Sequence, residues 1–286
     1  MYFDTADIGF VTFAHNTSKV DYLRLAYLQA MNIKATQHNA KYAVIVDSET
    51  MLQVSDQHRR VFDHIILVQK DYNKPDSEWK LANECMVYWL SPFKETIKVE
   101  SDLLFTSSID HWVPVLRLKD VVLSTGCRTY LDKLSNNRYY RKFFDENQLP
   151  DIYNGLMYFR KGENAFNFFT MAQKILIDWD NIKEQAVKNC REDNPSTDVL
   201  YAITAQMFGR EHCTLPTLDF INFVHMKSKI QGWVSDRPWY DVVLSERDRD
   251  IIRINNLNQY GPVHYYDKEY ATDQLIEYYE QRIGIN

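Results

Sequence analysis

Cysteine is scarce in this chain, with four in 286 residues. Cys85, Cys127, Cys190 and Cys213 make no CxxC pair and lack zinc-ligand spacing. A chain this long needs no disulfide staples, so reduced thiols are expected. An excess of basic charge is also missing. The formal net charge of −6 argues against indiscriminate nucleic-acid binding and leaves room only for a local basic patch. No apolar run comes near the roughly 20 residues that cross a bilayer, so membrane insertion is not expected. The first seven residues, Met-Tyr-Phe-Asp-Thr-Ala-Asp, carry no basic n-region and no apolar run. A protein without a signal peptide, working in a cytoplasm, is the expectation. Internal repeats, low-complexity tracts and clear linkers are absent too.

What is present suits one α/β domain over residues 1–286, since 45% of the residues are apolar, enough for a substantial core. Ile8–Ala14 reads as a buried first strand. Ser18 is a plausible N-cap for a helix through Tyr22–Met31. Tyr42–Val46, ending in Asp47, and Phe62–Val68 read as further strands. A helix is expected over 78–90, with Trp79, Ala82 and Met86 on one side and Pro92 ending it. Later come strands at Asp120–Ser124 and Ile152–Phe159, helices near 164–178 and 196–208, a strand at Asp219–His225, and a terminal helix from Thr272 to about Gly284. Strands alternating with helices imply a mostly parallel sheet covered on both faces, with ligands beyond the carboxyl ends of its strands.

The segment that carries most chemistry is Thr96-Ile-Lys-Val-Glu-Ser-Asp102. A β-prone run delivers Glu100 and Asp102 to a strand end, and residues two apart on a strand point to one face. Both carboxylates then meet one hard cation, Mg²⁺ or Mn²⁺, which favours oxygen ligands and leaves positions for substrate phosphates. The plain alternative is a solvated acidic turn. His225 and His264 are candidates for a third ligand, with His225 preferred; each has a lysine four residues later, Lys229 and Lys268, able to meet a diphosphate. In Asn154-Gly155 the glycine admits a close backbone approach and the amide can bond a sugar hydroxyl. Thr12 and Asp47 fall at the same rim, within reach of a nucleoside.

Trp79-Lys80, Ser91-Pro-Phe and Thr96–Asp102, followed by Tyr153-Asn-Gly-Leu-Met-Tyr-Phe, Asp193-Asn-Pro-Ser-Thr-Asp198 and Phe223-Val-His-Met-Lys, together resemble a GT-A-fold glycosyltransferase of the glycogenin-like or bacterial kind. The likeness covers roughly residues 8–268. It implies a Rossmann-type, mostly parallel sheet with acceptor-side insertions, residues 1–110 forming the nucleotide-binding half and 111–286 the acceptor side and C-terminal helix. It also implies Mn²⁺ or Mg²⁺ bridging the phosphates of a nucleotide-sugar, a UDP-sugar first of all. Lys80, Asn154, Gly155 and Lys229 would contact that donor, and Asp198 and Asp151 would serve the acceptor or act as base. Glu100 stands where the family has its first Asp, and Asp198 lacks the Gln that usually follows.

Between Cys127 and Phe144 lie Arg128, Lys133, Arg138, Arg141 and Lys142 against one acidic residue, Asp132, with five aromatics interleaved. Cations for phosphates and rings for bases suit a nucleic-acid strand. The chain is similar in style to GT-A proteins of tailed bacteriophages, some of which glycosylate hydroxymethylated bases in phage DNA, and such an enzyme would act in the host cytoplasm and expose its target base. Arg128, Arg138, Arg141 and Lys142 are the acceptor-binding residues of that reading. A saccharide of lipopolysaccharide or a capsule-like polymer is the alternative acceptor. A sugar nucleotidyltransferase would need a Gly-rich loop after the first strand, and Ala14-His-Asn-Thr-Ser-Lys19 has no glycine. A catalytically inactive binding protein is the third reading.

Overall fold

A computed structural model describes residues 8–73, 80–135, 137–138, 141–216, 220–233, 245–248 and 251–285. The first strand, β1 (Ile8–Ala14), is buried at every position. Phe10 and Ala14 pack into one apolar cluster while Val11 and Phe13 pack into another, so the strand's alternation feeds two cores, one on each face of the sheet. The strands β2 (Lys41–Val46), β3 (His64–Leu67), β4 (Glu95–Val99), β6 (Val121–Thr125) and β7 (Ile152–Arg160) complete a six-stranded sheet in the order β3-β2-β1-β4-β7-β6. Only β7 runs against its neighbours. The expected mostly parallel sheet with helices on both faces is what forms.

The Tyr22–Thr36 helix covers one face. It starts from Asp21, whose carboxylate accepts the Arg24 N–H at 2.9 Å; Ser18, the expected cap, lies outside the helix. The Asp273–Ile283 helix packs beside it, capped by Thr272 and ended by Gly284 in the left-handed conformation, as the sequence suggests. The Glu163–Ile177 and Thr197–Phe208 helices cover the other face.

Two expected elements come out differently. The helix placed over 78–90 is a 3₁₀ stretch, Ala82–Met86, running into one α turn, Val87–Leu90; Trp79 lies outside the described residues. Local hydrogen bonds account for the break, since Asn83 accepts the Tyr72 N–H and Asn73 accepts the Ala82 N–H. The strand placed at 219–225 is only β8 (Val224–His225), and Asp219 lies outside the described residues.

That short strand belongs to a second sheet that positions the site. β5 (Leu103–Phe105) pairs antiparallel with β12 (Pro262–His264), and β12 pairs with β8. The register sets His264 opposite both Leu103 and His225. The strands β9 (Ser245–Asp248), β10 (Ile251–Ile254) and β11 (Leu257–Asn258) form a separate meander between the last two strands of this sheet in sequence. Among the described residues no helix is long and apolar enough to cross a membrane.

Candidate active site

Because β7 is antiparallel, its first residues lie beside the carboxyl end of β4, with Leu156 opposite Val99. A cleft of about 510 Å³ opens at this rim. The turn after β4, the start of β7, the start of the Thr197–Phe208 helix and the β8–β12 edge all line it.

Glu100 and Asp102 sit in the turn joining β4 to β5, not on a strand, so the same-face argument is not what brings them together. The Leu103 N–H closes that turn on the Glu100 carbonyl at 3.2 Å, and the Gln29 side chain donates to the carbonyls of Glu100 and Leu103. His264 Nε2 then lies 2.9 Å from Asp102 Oδ2 and 3.3 Å from Glu100 Oε2. One donor atom from each of the three falls within 4.8 Å of the others. Two carboxylates and an imidazole, with the Glu100 side chain 24% exposed, fit a divalent cation that keeps open positions. Lys268 Nζ donates to the same Asp102 oxygen. Burial alone would raise the Asp102 carboxyl, but His264 and Lys268 beside it hold it well below the usual carboxylate range.

His225, the ligand preferred from the sequence, is one strand further from the acidic turn. Its ring stacks on His264 at 4.3 Å between centroids, and its Nδ1 is buried without a partner. Burial, with His264 and Lys227 nearby, holds His225 well below its ordinary value, in the neutral form. Of the two candidate lysines, Lys268 lines the cleft, whereas Lys229 sits exposed in a turn beyond it. Lys227, the last residue of the Phe223-Val-His-Met-Lys segment and given no role from the sequence, also lines the cleft.

Thr12 lines the same cleft, and its Oγ1 donates to the Val99 carbonyl, next to Glu100, at 2.7 Å. Lys80 lines the cleft, with Nζ on the Asn16 carbonyl at 2.9 Å and on Asp47 and Glu49 at 3.1 Å. Asp47 itself is absorbed by structure: it caps the Ser48–Met51 turn and pairs with Lys80.

Asn154 is 1% exposed. Its N–H donates to Asp198 Oδ1 at 2.8 Å and its side-chain Nδ2 donates to Glu84 Oε2 at 2.6 Å. Gly155 lines the cleft and also has a packing reason to be glycine: a Cβ there would meet the Phe223 ring at 2.7 Å. Gly155→Ala is therefore expected to cost about 1–3 kcal/mol in urea unfolding, and Phe223→Leu in the same chain to recover part of it. A full-stability Gly155→Ala would contradict this packing account.

The basic segment is largely neutralised by its own surroundings. Arg141, expected on an acceptor surface, is 2% exposed and lies between the rings of Phe144 and Tyr153, at 3.5 and 4.0 Å. Its guanidinium meets Asp151 at 2.6 Å and Asp198 at 3.0 Å. Burial works against its charge, but Asp198 and Asp151 outweigh that and raise its pKa. Arg138 pairs with Asp145 and Asp151, Arg128 with Asp132 and the Tyr260 carbonyl. Lys142 is exposed, 3.4 Å from Glu146. Asp151 is thus occupied by two arginines outside the cleft, while Asp198 lines it.

Glu84 carries no motif of its own in the sequence, yet it lines the cleft and pairs with Lys98 at 2.5 Å. The available signal is Lys98 itself: a lysine inside the apolar run of a central strand demands a buried partner.

No family model matches this chain, and no curated protein does. Solved structures do. The glycosyltransferase GlyE of Streptococcus pneumoniae TIGR4 matches 73% of this chain at 10% identity and a TM-score of 0.44, and the bifunctional WbbM matches 77% at 12% and 0.45. The chain spans less than half the length of those two, 45% and 40%. The galactosyltransferase LgtC, solved with donor and acceptor sugar analogues, matches along 97% of this chain and 95% of its own, at 13% identity and a TM-score of 0.51. From the strand order to the terminal helix, the chain has a GT-A-like fold.

Proposed function

We propose that this protein is a metal-dependent glycosyltransferase that moves a sugar from a nucleoside-diphosphate sugar, a UDP-sugar first of all, to an acceptor hydroxyl. The observation that carries the proposal is the convergence of Glu100, Asp102, His264 and Lys268 in a cleft that Asn154 and Asp198 also line. Glu100, Asp102 and His264 would hold Mn²⁺ or Mg²⁺, with His225 packed behind His264. When bound, that cation supplies Lewis-acid stabilisation of the departing diphosphate's charge. Lys268, beside Asp102, and Lys227 add positive charge, and Lys80 lines the same cleft, where it would contact the donor. Asn154 and Asp198 face the transferred sugar. Asp198, fixed by Arg141 and by the Asn154 N–H, accepts hydrogen bonds from sugar or acceptor hydroxyls.

For the acceptor the proposal is a saccharide. The cations that favoured a DNA strand are mostly committed to carboxylates, and the cleft rim offers Tyr22 and Tyr266 instead, rings that suit a sugar face. UDP-glucose and UDP-galactose with Mn²⁺, offered in parallel to oligosaccharides and to hydroxymethylated DNA, distinguish the two by mass spectrometry of the products. Glycosylated oligosaccharide is the expected result. Glycosylated DNA alone would reinstate the nucleic-acid acceptor, and release of UDP with neither would contradict a saccharide acceptor of the kinds offered.

A further inference from the structure

We infer that Glu84 is a positioning residue: it fixes the Asn154 amide so that this place in the cleft takes a hydrogen bond from a sugar hydroxyl and cannot give one. The inference rests on the glycosyltransferase reading and adds to it a rule for which sugars bind.

Three buried groups on three different elements meet at this point. Glu84, from the Ala82–Met86 stretch, is 3% exposed; Lys98, from β4, is 1% exposed; Asn154, from β7, is 1% exposed. Lys98 Nζ lies 2.5 Å from Glu84 Oε2 and donates to the Asn154 backbone carbonyl at 3.2 Å. Asn154 Nδ2 donates to that same Glu84 oxygen at 2.6 Å. Burial outweighs Lys98 and holds the Glu84 carboxyl above its ordinary value. The oxygen that meets the Lys98 ammonium is an acceptor in either state of the carboxyl, because an ammonium only donates.

Oε2 is thus fixed as an acceptor, so the amide nitrogen of Asn154 must face it. The flipped amide would set a carbonyl oxygen against a carboxylate oxygen and leave the NH₂ group without its acceptor. The backbone cannot rotate to relieve this, because the Asn154 N–H is bonded to Asp198 and its carbonyl to Lys98. The side-chain oxygen, Oδ1, is what remains, and it is buried with no partner. Buried acceptors normally find a donor. In a residue that lines the cleft, the missing donor is a ligand hydroxyl. A site built to accept a hydroxyl's proton rejects the analogue that lacks it, because its own buried oxygen is then left unpaired.

The test measures binding in the presence of Mn²⁺ by isothermal titration. The probes are UDP, UDP-glucose or UDP-galactose, whichever the wild type binds, and that sugar's series of single deoxyfluoro analogues. Fluorine replaces the hydroxyl without a proton to donate. One ring position is expected to lose about tenfold or more in the wild type. In the double variant Glu84→Leu with Lys98→Met, the charged pair is replaced by apolar side chains, a change buried pairs often tolerate. There the same analogue should bind within about twofold of the parent sugar, with the parent weakened and UDP nearly unchanged. Glu84→Gln, which keeps an acceptor oxygen for Asn154, should restore the discrimination. Equal binding of every analogue to the wild type, or undiminished discrimination in the double variant, overturns the inference while leaving the donor site standing. Binding of UDP without either UDP-sugar overturns it as well. If neither UDP nor its sugars bind, the UDP-sugar donor proposed above fails, and the inference fails with it.

Discussion

Asp102→Asn is expected to lower metal-dependent turnover by a factor of about 10²–10³, the scale of losing one preorganised charge-stabilising group. The substitution keeps the shape of the side chain and removes only its charge. Asp102 is the member of the acidic turn with the most partners, since His264 and Lys268 both converge on its Oδ2. Its carboxyl titrates below the ordinary 3.8, so the unfolded chain holds more protons there in acid. The stability it contributes is therefore complete at neutral pH and is lost as pH falls through the depressed value. Glu100→Gln should cost less, about tenfold, because Glu100 is more exposed and makes a longer contact with His264. Turnover measured across Mn²⁺ concentrations checks both, with thermal midpoints confirming that the variants fold. Equal and slight losses for the two would contradict the assignment of Asp102 as the central ligand.

Arg141→Met is expected to cost more stability than any other single change in the basic segment, about 3–5 kcal/mol in denaturant unfolding. Removing this guanidinium takes the counter-charge from Asp198, leaves Asp151 with only the half-exposed Arg138, and takes a planar cation from between two aromatic rings. Arg141→Lys should recover only part of the loss, because an ammonium cannot serve both carboxylates from a fork. Arg138→Ala, by contrast, removes a half-exposed partner and should cost less than about 1 kcal/mol. A stable Arg141→Met protein that had lost affinity for DNA would return the segment to the role of a nucleic-acid surface. Loss of stability with no separate DNA effect is the outcome the burial of Arg141 requires.

That segment shows where the sequence is silent. Positive charges interleaved with rings look the same whether they face solvent or pair inward. The partners that decide the matter, Asp145, Asp151 and Asp198, lie up to 57 residues away from Arg141. The central sheet was legible where a buried strand is a continuous apolar run, as in Tyr42–Val46, and the long helices were legible from their period, with Thr272 and Gly284 marking the ends of the last. The β5–β12–β8 sheet was not: its strands are two or three residues long, and the β5–β12 pairing joins Phe105 to Pro262, far apart in the chain. The choice between His225 and His264 depended on that register alone. The acidic pair was legible by composition, though the turn rather than a strand face brings it together. Glu84 was hidden because a single glutamate in a helical stretch carries no sign of burial, while its partner Lys98, within β4, did.

The most direct test of the central claim is the thermal midpoint of the wild-type protein with UDP, with and without Mn²⁺. Ligand that binds only the folded chain raises its stability by RT ln(1 + [L]/Kd), about 2.7 kcal/mol at a hundredfold excess over Kd. A clear upward shift with UDP and Mn²⁺ together, absent with either alone and lost in Asp102→Asn, is the predicted result. A shift of the same size without the metal, or no shift for any nucleoside diphosphate, would contradict the account and leave Glu100 and Asp102 as an acidic turn held by His264 and Lys268.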